Sequence, residues 1–142
     1  MTTYTNFSKD MWATFKADAR PGPLHMLNLI RLREEADYPD GRAASGEEAY
    51  REYSHISAPV FERLGGRIIW RGGFELTMIG PPNDVWDICF IAGYPSVAAF
   101  AEMLRDPVYQ DAMAHRQAAV EDSRLIRLRA RPSGTSFAGG DV

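Results

Sequence analysis

Tyr50, Tyr53 and His55 stand close together in the stretch EAYREYSHI. An imidazole exchanges protons near neutral pH, so His55 is the candidate general base, with the Tyr50 hydroxyl as a second proton carrier. Asn28 interrupts the apolar run LHMLNLIRLR. A buried amide left unsatisfied costs about 1–3 kcal/mol, so Asn28 needs partners, and Tyr50, Tyr53 or His55 could supply them. Two readings stand for this residue. It is a satisfied core side chain, or it is the polar point that orients a ligand in an otherwise apolar pocket. On the second reading Tyr53 joins it in binding, Trp70 and Trp86 form walls, and the ligand is a small, largely apolar or aromatic metabolite.

Other chemistries find less support. His25, His55 and His115 form no H-x-H or H-E-x-x-H pattern, so no metal is expected. Gly65-Gly66-Arg67 lacks the lysine and spacing of a phosphate loop. Cys89 is the sole cysteine and lies in the apolar run WDICFI, where a buried, inert thiol is expected. His115 falls one helical turn from Asp111, as a solvated pair would. Arg124, Arg127, Arg129 and Arg131 read as a sheet edge kept apart from other edges by charge, with anion binding as the alternative.

The elements that must position these residues are legible in order. SKDMWATFKADA sets Phe7, Met11, Trp12, Phe15 and Ala19 on one helical face behind the cap Ser8, and Pro21-Gly22-Pro23 stops it. A strand at 24–32 follows, then a polar loop at 33–46 containing Pro39-Asp40-Gly41, read as a lid or as a mobile segment. Ser45 and Glu48 have capping-box spacing and open a helix near Gly46. Ala49, Tyr53, Ile56, Val60 and Leu64 keep its apolar stripe, Glu47 and Arg51 pair across a turn, and Pro59 predicts a kink at 55–59. Gly65-Gly66 ends it.

A second strand is expected through RIIWRGGFELTMIG, with a bend at Gly72-Gly73, and with Ile68, Trp70, Phe74, Leu76 and Met78 on one face. The turn GPPND leads to a third strand at 86–94. Ser96 and Asp106-Pro107 open two short helices, and a fourth strand occupies 123–130. The tail from 131 is small and polar, and disorder is expected there. The organisation is thus a helical extension at 1–23, a βαββαβ domain at 24–130 and a tail at 131–142.

At 142 residues the chain is long enough to bury roughly 70% of the surface it exposes unfolded, as one domain. A net charge of -3 argues against nucleic acid. No apolar run approaches the roughly 18 residues of a membrane span, and Lys9, Asp10, Lys16 and Asp18 leave no signal-peptide core. A cytoplasmic location is expected.

A βαββαβ chain makes a four-stranded antiparallel sheet with its helices on one face and strand order 4-1-3-2. Strands wetted on one side alternate apolar and polar residues. The two central strands do not: Leu27 and Leu29, and Cys89 and Ile91, are apolar on the face away from the helices. That face needs a cover, either an identical sheet from a second subunit or the amino-terminal helix. Arg31 then belongs to the wet margin, paired with an acid such as Glu75.

HMLNLIRLR, EAYREYSHISAPVFERLGGRIIWRG and YPSVAAFAEMLRDPVYQ together resemble a family of small bacterial proteins, a domain of unknown function, in the ferredoxin-like dimeric α+β barrel superfamily. Leu64-Gly65-Gly66-Arg67 and the Pro95-Ser96 to Tyr109 passage are the more specific parts. The resemblance spans 24–130; the first helix, the 33–46 loop and the tail depart from it, as does Met103, where members often carry an aromatic residue. It implies an α+β fold and a homodimer, and it implies no established activity; no cofactor is expected. Related families include cofactor-free monooxygenases, haem-binding proteins and small isomerases, which bear on this chain by fold analogy alone. A dimeric structural protein without chemistry is the alternative to a metabolite-binding one.

Overall fold

The computed structural model describes residues 2–134 and 136–137. The expectation for the tail at Thr135 and at 138–142 lies outside them. The described elements are α1 (Lys9–Ala17), β1 (Leu24–Leu32), α2 (Gly46–Arg63), β2 (Arg67–Gly72), β3 (Ile88–Tyr94), α3 (Val97–Arg105), α4 (Pro107–Ala119) and β4 (Val120–Arg129). The strands form one antiparallel sheet in the order β2-β3-β1-β4. Leu24, Met26, Asn28 and Ile30 of β1 lie opposite Tyr94, Ala92, Phe90 and Ile88 of β3, all facing the helices.

Local chemistry explains the helix ends. The Ser45 hydroxyl accepts from Glu48 N–H, and the Glu48 carboxylate accepts from Ser45 N–H. Gly65 adopts φ +84°, and the amides of Gly65 and Gly66 donate to the carbonyls of Glu62 and Phe61, closing α2 in a Schellman turn. Helix α2 continues through Pro59, which deprives the His55 carbonyl of its intrahelical donor. Asp106 caps α4 by accepting from Val108 and Tyr109 N–H.

Several expectations change. The second strand ends at Gly72, and residues 73–87 form an arm outside the sheet. A continued hairpin would need amides at Pro81 and Pro82, which proline lacks. Instead the Thr77 hydroxyl closes the arm on the Asp84 carbonyl. A register shift between Ile68 and Trp70 then reverses the alternation. Ile68 faces the helices with Ala92, whereas Trp70 is opposite Ile91 on the other face and 51% exposed.

Glu75 travels with the arm, so Arg31 pairs with Glu121 at 3.4 Å and Asp122 at 3.3 Å. His115 does not bond Asp111 but Tyr38, whose hydroxyl is 2.7 Å from Nδ1. The 33–46 loop is neither lid nor free. Asp37 N–H donates to Ala118, Ala36 N–H to Ala44, and Arg42 lies over the Tyr38 ring. Cys89 is half-buried; burial, helped by the Asp87 charge, pushes its thiol pKa up and keeps it protonated.

The amino-terminal helix packs on the helical side. Phe15 meets Phe100 edge-on at 5.4 Å, and Arg127 donates to the carbonyls of Phe15 and Asp18. The opposite sheet face therefore carries no helix among the described residues, and Ile69, Trp70, Ile126 and Leu128 stand exposed on it.

Asp122 ties the amino terminus to the sheet. It is almost closed to solvent and accepts from Tyr4 N–H, Ser123 N–H, Arg124 and Arg31. Burial alone would raise its pKa, but the hydrogen bonds and the Arg124 charge outweigh it, so the carboxyl lies below its usual range. A depressed folded pKa gives stability that is present above the unfolded value of about 3.9 and is lost as pH falls through the folded one. Urea denaturation is thus expected to show Asp122→Asn less stable than the wild type at neutral pH, with the gap closing on acidification below about pH 4. A gap independent of pH would exclude this role.

Candidate functional site

A cavity of about 850 Å³ opens between the helical face of the sheet, α2, the α3–α4 pair and the segment 4–11. The sheet contributes Asn28, Ile68, Arg71, Phe90 and Tyr94; α2 contributes Tyr50, Tyr53 and Ala58; α4 contributes Tyr109 and Arg116. The short α2 side chains Ser54, Ser57 and Ala58 leave the room. They lie next to Pro59.

Four tyrosines dominate the interior. The Tyr50 and Tyr53 rings are 5.3 Å apart, Tyr53 and Tyr109 are 6.0 Å apart, and the latter two hydroxyls bond at 2.8 Å. Burial, reinforced by neighbouring tyrosines, pushes the pKa values of Tyr50, Tyr94 and Tyr109 well up, while Arg116 and Arg71 pull that of Tyr50 back. These hydroxyls therefore stay protonated at neutral pH and serve as donors. One O–H of the Tyr53–Tyr109 pair is used within the pair. The other, and those of Tyr50 and Tyr94, meet no protein acceptor among the described residues.

Asn28, Tyr50 and Tyr53 are brought together on this cavity. Asn28 bonds none of the expected partners: its Nδ2 donates to the Met26 carbonyl at 3.1 Å, and no protein donor among the described residues meets Oδ1. His55 is not on the cavity. It is exposed on the outer side of α2, five residues from Tyr50 and thus beyond the same face. Trp70 is on the far sheet face because of the β2 bulge. Trp86 is buried, with the guanidiniums of Arg31 and Arg124 lying 5.8 and 5.2 Å from its ring.

Sequence reasoning missed Tyr94, Tyr109, Arg71 and Arg116 as cavity residues. The even register of β3 could have placed Tyr94, and the apolar stripe of the last helix Tyr109; nothing local marks the arginines. Among the described residues no group of three His, Cys, Asp or Glu side chains could hold a metal ion, and no helix is long and apolar enough to cross a membrane.

An antiparallel β2-β3-β1-β4 sheet with helices on one face and a cavity beneath them defines a ferredoxin-like α+β protein. The chain belongs to the family described as "Domain of unknown function (DUF1330)", whose model matches residues 43–128, leaving β1 and the amino-terminal helix outside the matched segment. Among solved structures it is similar to the methylated RPA0582 protein, at 58% identity and TM-score 0.92 over 95% of this chain and 100% of that one. It is also similar to RPA0582, a protein of unknown function from Rhodopseudomonas palustris, at 58% identity and TM-score 0.88 over 92% of this chain and 100% of that one. At such coverage, most of the amino-terminal extension falls within the match. Among curated proteins none matches significantly.

Proposed function

We propose that the protein is a homodimer that binds, or transforms, a small apolar or aromatic metabolite in the cavity between sheet and helices. The observation that carries the reading is the cavity itself. At about 850 Å³, with aromatic walls and a few unpaired donors, it has the size and chemistry of a small-molecule site. The protonated Tyr50 hydroxyl is the hydrogen-bond donor of this reading and Asn28 Oδ1 its orienting acceptor. His55, Trp70 and Trp86 have no part in it, because none lines the cavity. The dimer is supported by the bare apolar sheet face, since α1 lies on the other side. The exposed arm adds Leu76, Met78 and Ile79, the last 98% exposed, as further apolar surface for a second subunit.

A dimeric structural protein without a ligand is the second reading. It is favoured by the Asn28 amide, which is bonded to backbone as a core residue would be. The neutral dye N-phenyl-1-naphthylamine separates the two. Its fluorescence is expected to rise on binding the wild type and to stay low with Ala58→Phe, which places a ring in the cavity. Equal signals from both proteins, or none from either, would leave the structural reading.

A further inference from the structure

Resting on that metabolite-binding reading, we infer that the ligand is an anion: a small carboxylic acid with an aromatic or aliphatic body, its carboxylate held at the Tyr50 end of the cavity by Arg71 and Arg116. The two guanidiniums come from opposite walls, Arg71 from β2 and Arg116 from α4. Both line the same cavity as Tyr50, and both charges favour its ionised form. Arg71 has no hydrogen bond or ion pair among the described residues. Arg116 spends one nitrogen on the Thr5 carbonyl at 3.2 Å and has no carboxylate partner there.

Neither acid on the lining, Asp87 or Glu62, forms an ion pair with these guanidiniums among the described residues. Asp87 is committed to Leu32 N–H at 2.7 Å. Glu62 lies twelve residues beyond Tyr50 on α2, roughly 18 Å along the helix axis. Apart from the Asn28 Oδ1 acceptor, the polar groups left over at the Tyr50 end can donate: two guanidiniums, the Tyr50 hydroxyl and the unused hydroxyl of the Tyr53–Tyr109 pair. A neutral hydrocarbon would bury them unpaired, whereas a carboxylate offers about four lone-pair sites and a bidentate fit to arginine. Phe90, Tyr94 and Phe100 are left to receive the apolar body.

The test is isothermal titration of the full chain with 3-phenylpropanoate and with its neutral isostere 3-phenylpropanamide. At least tenfold tighter binding of the acid is expected. Arg71→Met, at an exposed position with no side-chain hydrogen bond or ion pair among the described residues, should bring the acid down to the affinity of the amide. Arg116→Met should do the same, and His55→Ala, outside the cavity, should keep the preference. Equal affinities in the wild type would overturn the inference and leave the metabolite site standing. A preference that survives both arginine substitutions would overturn the assignment of those residues. If neither compound binds, the inference and the reading beneath it fall together.

Discussion

Leu27→Glu is expected to sediment as a single subunit at micromolar concentration, and the wild type is expected to sediment as a dimer. Leu27 lies at the centre of the uncovered sheet face, opposite Ile91 on one side and Ile126 on the other. In a face-to-face dimer a carboxylate there would be buried among the apolar residues of the two sheet faces. An uncompensated buried charge costs about 3 kcal/mol or more, which is roughly a hundredfold in Kd. In the isolated subunit the same position is half-buried, so the fold itself should survive. Circular dichroism unchanged from the wild type, together with loss of the dimer, is the expected pair of results. A wild type that is already a single subunit would refute the dimer outright.

Gly46→Ala should lower Tm by about 10 °C, corresponding to roughly 3 kcal/mol of destabilisation. Helix propensity alone argues for the opposite sign, since alanine is favoured over glycine by about 1 kcal/mol within a helix. Packing decides against it. A Cβ at position 46 would stand 1.9 Å from the Arg33 carbonyl oxygen, 2.8 Å from its carbon and 3.0 Å from its nitrogen. Those atoms are backbone, and they are pinned: Arg33 N–H donates to Ala119 at 2.8 Å, and Gly46 N–H donates to Glu34 at 3.2 Å. The clash therefore pushes the start of α2 away from the end of β1, where Tyr38 and Ala49 complete the core. Gly41→Ala, with nothing within 4 Å of its Cβ, isolates the cost of a positive φ alone and should cost less. A thermal melt of Gly46→Ala at or above the wild-type value would show that this contact relaxes.

Both predictions depend on different kinds of information. The helix starts at Ser45, Ser96 and Asp106, and the stop at Gly65, were readable because each uses groups within a few residues of one another. The sheet order also followed from the order of the elements, because a βαββαβ chain forms a 4-1-3-2 sheet. Period and spacing are local properties, and a chain carries them without folding.

What the folded chain decided depends on contacts distant in sequence. One inserted residue between Ile68 and Trp70 moved the tryptophan to the other face, and no composition signal marks such a slip. His115 found Tyr38 rather than Asp111 because the loop crosses α4, a path set by backbone bonds to Ala118. The cavity likewise gathers Arg71 and Arg116 from elements 45 residues apart, counted from their positions in the chain. The amino acids alone determined the helices, the strand order and which sheet face lacks a cover, but not where β2 ends. Which polar groups meet inside was left to packing, because long-range contacts form only once the strands have chosen their register.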